Sequence, residues 1–163
     1  MSDPTGIAWT FPLALRAMLA ASASFRTWIG ASDVTAASAA IGFYSDDTPL
    51  ERPAGDRYGF IDPNRAPLTG ARDATGAGLG AFAVSSMVAA WGLEWRVEAF
   101  SPEAMVEFRN LESAVLDEIL TQPEARVIVR FEQWDPMTYP IQRLDGSVCR
   151  YQVAYTMTAR QGV

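Results

Sequence analysis

Apolar and polar residues alternate most clearly in the second half of the chain. From Trp91 to Ala99, the residues Trp91, Leu93, Trp95, Val97 and Ala99 alternate with Gly92, Glu94, Arg96 and Glu98. A period of two over that length predicts a half-buried strand. A continuation back to Ala81 would have to pass an interruption at Ser85 and Ser86. Ser101-Pro102-Glu103 then supplies a cap, a first-turn proline and a first-turn acid for a helix. Met105, Phe108, Leu111, Val115 and Ile119 form its apolar stripe, while Glu107, Arg109, Glu112 and Asp117 sit away from it. Pro123 closes the element. Val127, Val129 and Phe131 alternate with Arg126, Arg130 and Glu132 in the next predicted strand, which Pro136 and Pro140 break. Asp145-Gly146 is a hairpin-type turn. The last strand places Cys149, Tyr151, Val153, Tyr155 and Met157 on one face, opposite Arg150, Gln152, Thr156 and Thr158.

The first half is less regular. Residues 7–29 read as an opening helix with Phe11, Leu15, Met18 and Leu19 at helical spacing and Pro12 in a first-turn position. Ser22, Ser24 and Gly30 weaken it or end it. Asp33 is an N-cap for a short helical turn through Val34–Ala40. Ile41–Tyr44 predicts a strand, stopped by Ser45-Asp46-Asp47, and a brief strand follows at Arg57–Ile61. The stretches 45–56 and 62–80 read as long loops, the second rich in glycine and proline. Long loops inside a compact domain are usually functional or disordered. Neither side of them holds a complete core, so the 163 residues are expected to form one domain. The order of elements predicts an α+β two-layer sandwich, a mainly antiparallel sheet of four to five strands with two main helices on one face.

Composition narrows the function. The chain is 49% hydrophobic with five Trp, five Tyr and eight Phe, enough to build a core and exclude wholesale disorder. Its net charge of −6 argues against a nucleic-acid grip, which needs clustered positive charge. No apolar run is long enough to cross a bilayer. The N-terminus lacks the basic-then-apolar order of a secretory signal, so synthesis in a cytoplasm is expected. All 13 cationic residues are Arg, which fits codon bias or the use of guanidinium forks in interface ion pairs.

Histidine is absent, and with it the commonest general base and metal ligand. Lysine is absent too, which removes Schiff-base chemistry and phosphate-loop lysines. A single Cys can form no internal disulfide, and Cys149 on an apolar face reads as a buried, inert thiol. Asp46, Asp47 and Glu51 lack the register of a calcium loop and read as a solvated loop. Glu94 and Glu98 flank Arg96 as the dress of an outer sheet surface. Gly76-Ala77-Gly78-Leu79-Gly80 has neither a clear strand before it nor a capped helix after it, and reads as a hinge rather than a phosphate loop. Trp91 and Trp95 share a strand face, read as core packing before a stacking platform. Trp28, near the frayed end of the first helix, reads as a partly exposed contact. No catalytic residue, cofactor or metal site is expected.

The order of elements resembles the tail terminator (tail completion) proteins of long-tailed bacteriophages. Leu15–Ile29, with its phrase Ser22-Ala23-Ser24-Phe25-Arg26-Thr27-Trp28, is similar to their first helix and its exit. Trp91–Phe100 followed by Ser101–Leu120 resembles their central strand and second helix, and Val127–Phe131 with Val148–Met157 their final strand pair. The resemblance implies a structural virion protein at the head–tail junction. It would form a homo-hexameric ring that ends tail tube polymerisation and meets the tail tube protein and the head-side connector protein. Phage DNA would pass through its acidic lumen without specific binding. The long loops depart from that pattern, and they are expected to carry neighbour or tube contacts. The candidate assembly contacts are therefore Trp28, Asp46, Asp47, Glu51, Arg52, Arg65 and Arg72. The alternatives are another head–tail connector or neck protein, a monomeric small-ligand or peptide-binding domain using the Trp91 and Trp95 face, and a carboxylate-dependent hydrolase.

Overall fold

Three consecutive helices open the chain because small polar residues interrupt an otherwise continuous apolar stripe. The structure, a computed structural model, describes residues 7–45, 48–51, 53–63, 69–71, 83–133, 141–142 and 149–160. Helix α1 (Ile7–Ala21) turns Phe11, Leu15, Met18 and Leu19 into the core. It begins early enough to put Pro12 in its second turn rather than its first. Ser22 stops it with extended backbone, and its side chain accepts a hydrogen bond from the Phe25 N–H at 3.1 Å to start α2 (Ala23–Ile29). Gly30 ends α2 in the left-handed region at φ 72°, where its N–H and that of Ala31 reach back to the last-turn carbonyls. Asp33 then caps α3 (Val34–Ala39), accepting from the Ala36 N–H at 2.8 Å.

The strands are β1 (Ile41–Ser45), β2 (Thr48–Glu51), β3 (Arg57–Asp62), β4 (Thr69–Ala71), β5 (Ala83–Val97), β6 (Ile128–Gln133), β7 (Ile141–Gln142) and β8 (Cys149–Arg160). They form one sheet in the order β2-β1-β3-β5-β8-β6, with β4 paired to β5 and β7 paired to β8. Every pairing is antiparallel except β1 with β3. The body of the sheet is β1, β3, β5, β8 and β6, and the rest are short additions. The architecture is thus the expected α+β sandwich. The 45–56 stretch is not simply a loop, because β2 folds back on β1. Likewise β4, within 62–80, pairs with the start of β5, which runs through Ser85 and Ser86 without a break. The Asp145-Gly146 turn and the 76–80 glycine run lie outside the described residues.

Helix α4 (Pro102–Thr121) is capped as its sequence dictates, with the Ser101 hydroxyl accepting from the Ala104 N–H at 3.0 Å. Tyr151 of β8 ties that start down: its hydroxyl accepts from the Ser101 N–H and donates to the Ser101 carbonyl. At the other end, Gln122 donates to the Met18 carbonyl at 2.8 Å and joins α4 to α1. A 3₁₀ turn at Pro123–Val127 then leads into β6. Among the described residues, no helix is long and apolar enough to cross a membrane.

Facing residues on paired strands share a side of the sheet, so register sorts the two faces. Trp91, Leu93, Tyr151, Val153, Tyr155 and Met157 meet the helices in one core with Phe25, Phe108, Val115 and Ile119. Tyr58, Phe60 and Ala154 form a smaller buried cluster on the opposite face. Gly92 lies between Phe60 and Ala154 in that register, and a side chain there would run into the Phe60 ring and the Val153 carbonyl oxygen. That position admits glycine alone.

Candidate assembly surface

Strand β6 pairs with β8 on one side only, and no described strand lies beyond it. A regular half-buried strand would hide Val129 and Phe131 on its apolar face. Instead Val129 is 56% exposed and Phe131 45% exposed. Two features produce this. The pairing with β8 slips between Ile128 and Arg130, so Val129 falls in a bulge and leaves the alternation. Phe131 does face the helix layer, opposite Met157 and 6.5 Å from the Tyr155 ring, but it stands at the rim of the sheet, where cover ends. Arg130 and Glu132 occupy the other face and form an exposed ion pair with each other.

Behind this edge the sheet is held rigidly. Glu112 of α4 is buried and accepts from the Tyr155 hydroxyl at 2.5 Å, pairs with Arg109 at 3.2 Å, and is within 3.5 Å of Gln133 of β6. Burial, then the hydrogen bond to Glu112 and that carboxylate's charge, raise the Tyr155 pKa well above the ordinary phenol value. The phenol therefore stays a donor, and the cluster serves as a clamp between α4, β8 and β6.

A second polar cluster lies on the face away from the helices. Glu94 is 0% exposed, which corrects its reading as surface dress. Its carboxylate accepts from the Tyr58 hydroxyl and lies 3.7 Å from Arg96 and 3.6 Å from Arg150. Tyr58, Glu94 and Arg150 belong to three adjacent strands, so the carboxylate staples β3, β5 and β8 together. A buried carboxylate needs such partners, because desolvation otherwise outweighs its retention as an ion. Among the described residues, no group of His, Cys, Asp and Glu could hold a metal ion.

The structure corrects Trp28 as a partly exposed contact. It is 7% exposed, packed at an edge-to-face angle on Trp95 and tilted against Phe25 and Phe108. Arg57 covers it, with its guanidinium 5.8 Å from the Trp28 ring and 4.6 Å from Trp95, and one N–H donating to the Trp28 carbonyl. Helix α2 is capped by Ser22 and tied to α4 by hydrogen bonds from Ser22 and Ser24 to Glu118, and Trp28 is buried on the side that packs against α4. Beside it, Ala23, Thr27, Asn110 and Ala114 line a shallow groove of about 400 Å³ between α2 and α4. Trp91 is fully buried and stacked on Tyr155, so it offers no platform. Cys149 is only partly buried.

Of the other predicted contacts, Glu51 ends β2, where its backbone faces Phe43. Asp46, Asp47, Arg52, Arg65 and Arg72 lie outside the described residues. The exposed apolar pair on β6 was missed because Val129 and Phe131 carry the same alternation as a buried strand. The one usable signal was the pair of opposite charges, Arg130 and Glu132, flanking Phe131. No protein-family model and no curated protein matches the chain in sequence.

Proposed function

We propose that this chain is a structural virion protein that forms a ring at the head-proximal end of a phage tail. There it ends polymerisation of the tail tube and joins the tail to the head-side connector. The observation that carries the reading is a single sheet whose two outer strands, β2 and β6, are different and lie at opposite ends. An edge strand presents unpaired backbone groups that another strand can take up. Unlike edges at opposite ends favour head-to-tail contacts, and such contacts close into a ring when the rotation between neighbours is right. The exposed Val129 and Phe131 give the β6 edge apolar area to bury in that contact.

Other features support the same reading. The helix-and-strand order that resembles tail terminators folds into an α+β sandwich around a main buried core. The polar clusters around Glu94 and Glu112 tie strands to each other and to α4, as a load-carrying ring subunit requires. A net charge of −6 suits a lumen through which DNA slides without sticking. The test is electron microscopy of particles from a phage that encodes the chain, with and without its gene. Loss should yield tails of uncontrolled length and unjoined heads. Normal virions without the chain would exclude this role.

A further inference from the structure

Strand β6 is complementary to a second copy of itself. Consider two β6 strands laid antiparallel with Phe131 opposite Phe131 of the second copy. Arg130 then faces Glu132 of that copy, and Glu132 faces its Arg130. Directly opposed residues share a face, so the two charge pairs form on the side away from the helices, where Arg130 and Glu132 already project. The two Phe131 rings meet on the helix side, where each is now left 45% exposed. From these contacts we infer that the free protein dimerises about a two-fold axis through paired β6 edges. The sheet then runs on continuously from one protomer to the other.

The charges fix the register as well as the partner. Centring the pair one residue earlier puts Arg130 opposite Arg130, and one residue later puts Glu132 opposite Glu132. Both arrangements set like charges face to face and are disfavoured. The bulge at Val129 limits regular pairing to the segment that follows it, so the contact is short. A short contact forms a reversible dimer, able to shield the edge until a better partner takes it. Charges on an edge strand ordinarily repel other strands. Here the alternating signs repel unrelated strands and admit the chain's own copy. This dimer stands whether or not the ring reading holds.

The test is the mass of the purified 163-residue protein by sedimentation equilibrium, from low micromolar to high concentration. The mass should climb from 17.7 kDa towards twice that value. Arg130→Glu and Glu132→Arg should each weaken the dimer by about tenfold or more, because each turns both charge pairs into like pairs. The double variant R130E/E132R restores opposite signs and should return the affinity to within about threefold of the parent. These side chains are exposed, so thermal unfolding should move little in any of the three. A protein that stays monomeric, one that assembles only as six copies, or a dimer indifferent to both reversals would overturn the inference. The ring reading is judged separately, on tails, so one can fail without the other.

Discussion

Glu118 holds α2 to α4, and its removal gives a measurable test of how the helix layer is set. Its carboxylate accepts from the Ser22 hydroxyl at 2.5 Å, the Ser24 hydroxyl at 2.5 Å and the Ser24 N–H at 3.0 Å. Two of those donors belong to the first turn of α2, whose free N–H groups favour an anion. Burial pushes the Glu118 pKa up, but the hydrogen bonds from Ser22, Ser24 and the α2 backbone outweigh it, and the net value falls below 4.5. Hydrogen bonds to a charged group contribute roughly 1.5–3 kcal/mol each when fully shielded. Here they share one partly exposed carboxylate, so they do not add, and Glu118→Ala should cost about 2 kcal/mol. For a domain of this size that is a fall in Tm of about 4–8 °C. The folded pKa is depressed, so the stabilisation is complete above the unfolded value near pH 4.5 and is lost as pH falls through the lower folded value. The difference between parent and variant should therefore shrink below that pH. Thermal melts at a series of pH values read this directly, and Ser24→Ala in a double-mutant cycle should show coupling of about 1 kcal/mol. A variant within 0.5 kcal/mol of the parent at neutral pH, on the order of ordinary surface changes, would refute the account.

Three further outcomes follow from burial and space. Glu94→Ala leaves Arg96 and Arg150 facing each other across a vacated buried site, and should cost about 3 kcal/mol in urea unfolding; a neutral result would mean the carboxylate is not a staple. Gly92→Ala should destabilise by about 3 kcal/mol or prevent folding, since its methyl group meets backbone as well as the Phe60 ring; unchanged circular dichroism and melting would show that β5 and β8 can part there. Trp28→Ala should cost about 3–5 kcal/mol as a core truncation; a loss below about 0.5 kcal/mol would return Trp28 to the surface.

Most of the fold could be read locally because its signals are local. Ser101, Pro102 and Glu103 name the start of α4 without reference to anything distant, and Asp33 does the same for α3. The alternation in β8 identifies one buried face because that strand lies inside the sheet, between β5 and β6. The failures come from neighbours that are distant in sequence, and in the strands from position within the sheet. Phe131 and Met157 carry the same alternation, yet among the described residues one strand has a neighbour on each side and the other has a neighbour on one. The polar face of β5 misled for the converse reason. Glu94 looks like a solvent-facing residue until β3 and β8 bring Tyr58 and Arg150 against it. Trp28 lies near a glycine helix end, which locally reads as frayed, but Arg57 arrives from another element to cover it. The parallel pairing of β1 with β3 also had no local sign, since β2 intervenes in sequence and pairs on the outer side.

The same distinction explains where assembly surfaces can be built in a chain of this kind. A central strand has side chains from a neighbour on each side to cover its own, so a carboxylate buried among them, as at Glu94, needs partners within the molecule. An edge strand keeps one row free, so its side chains can be held for a partner without cost to the fold. Arg130, Phe131 and Glu132 are in that position, and the clamp at Glu112 and Tyr155 fixes the strand beneath them through Gln133. Rigid support behind an exposed apolar edge lowers the ordering cost of association, because the backbone is already extended when the partner arrives. What singles out β6 is therefore where its apolar and charged residues are placed. Among the described residues it is an amphipathic strand at an outer edge of the sheet, where Val129 and Phe131 stay exposed.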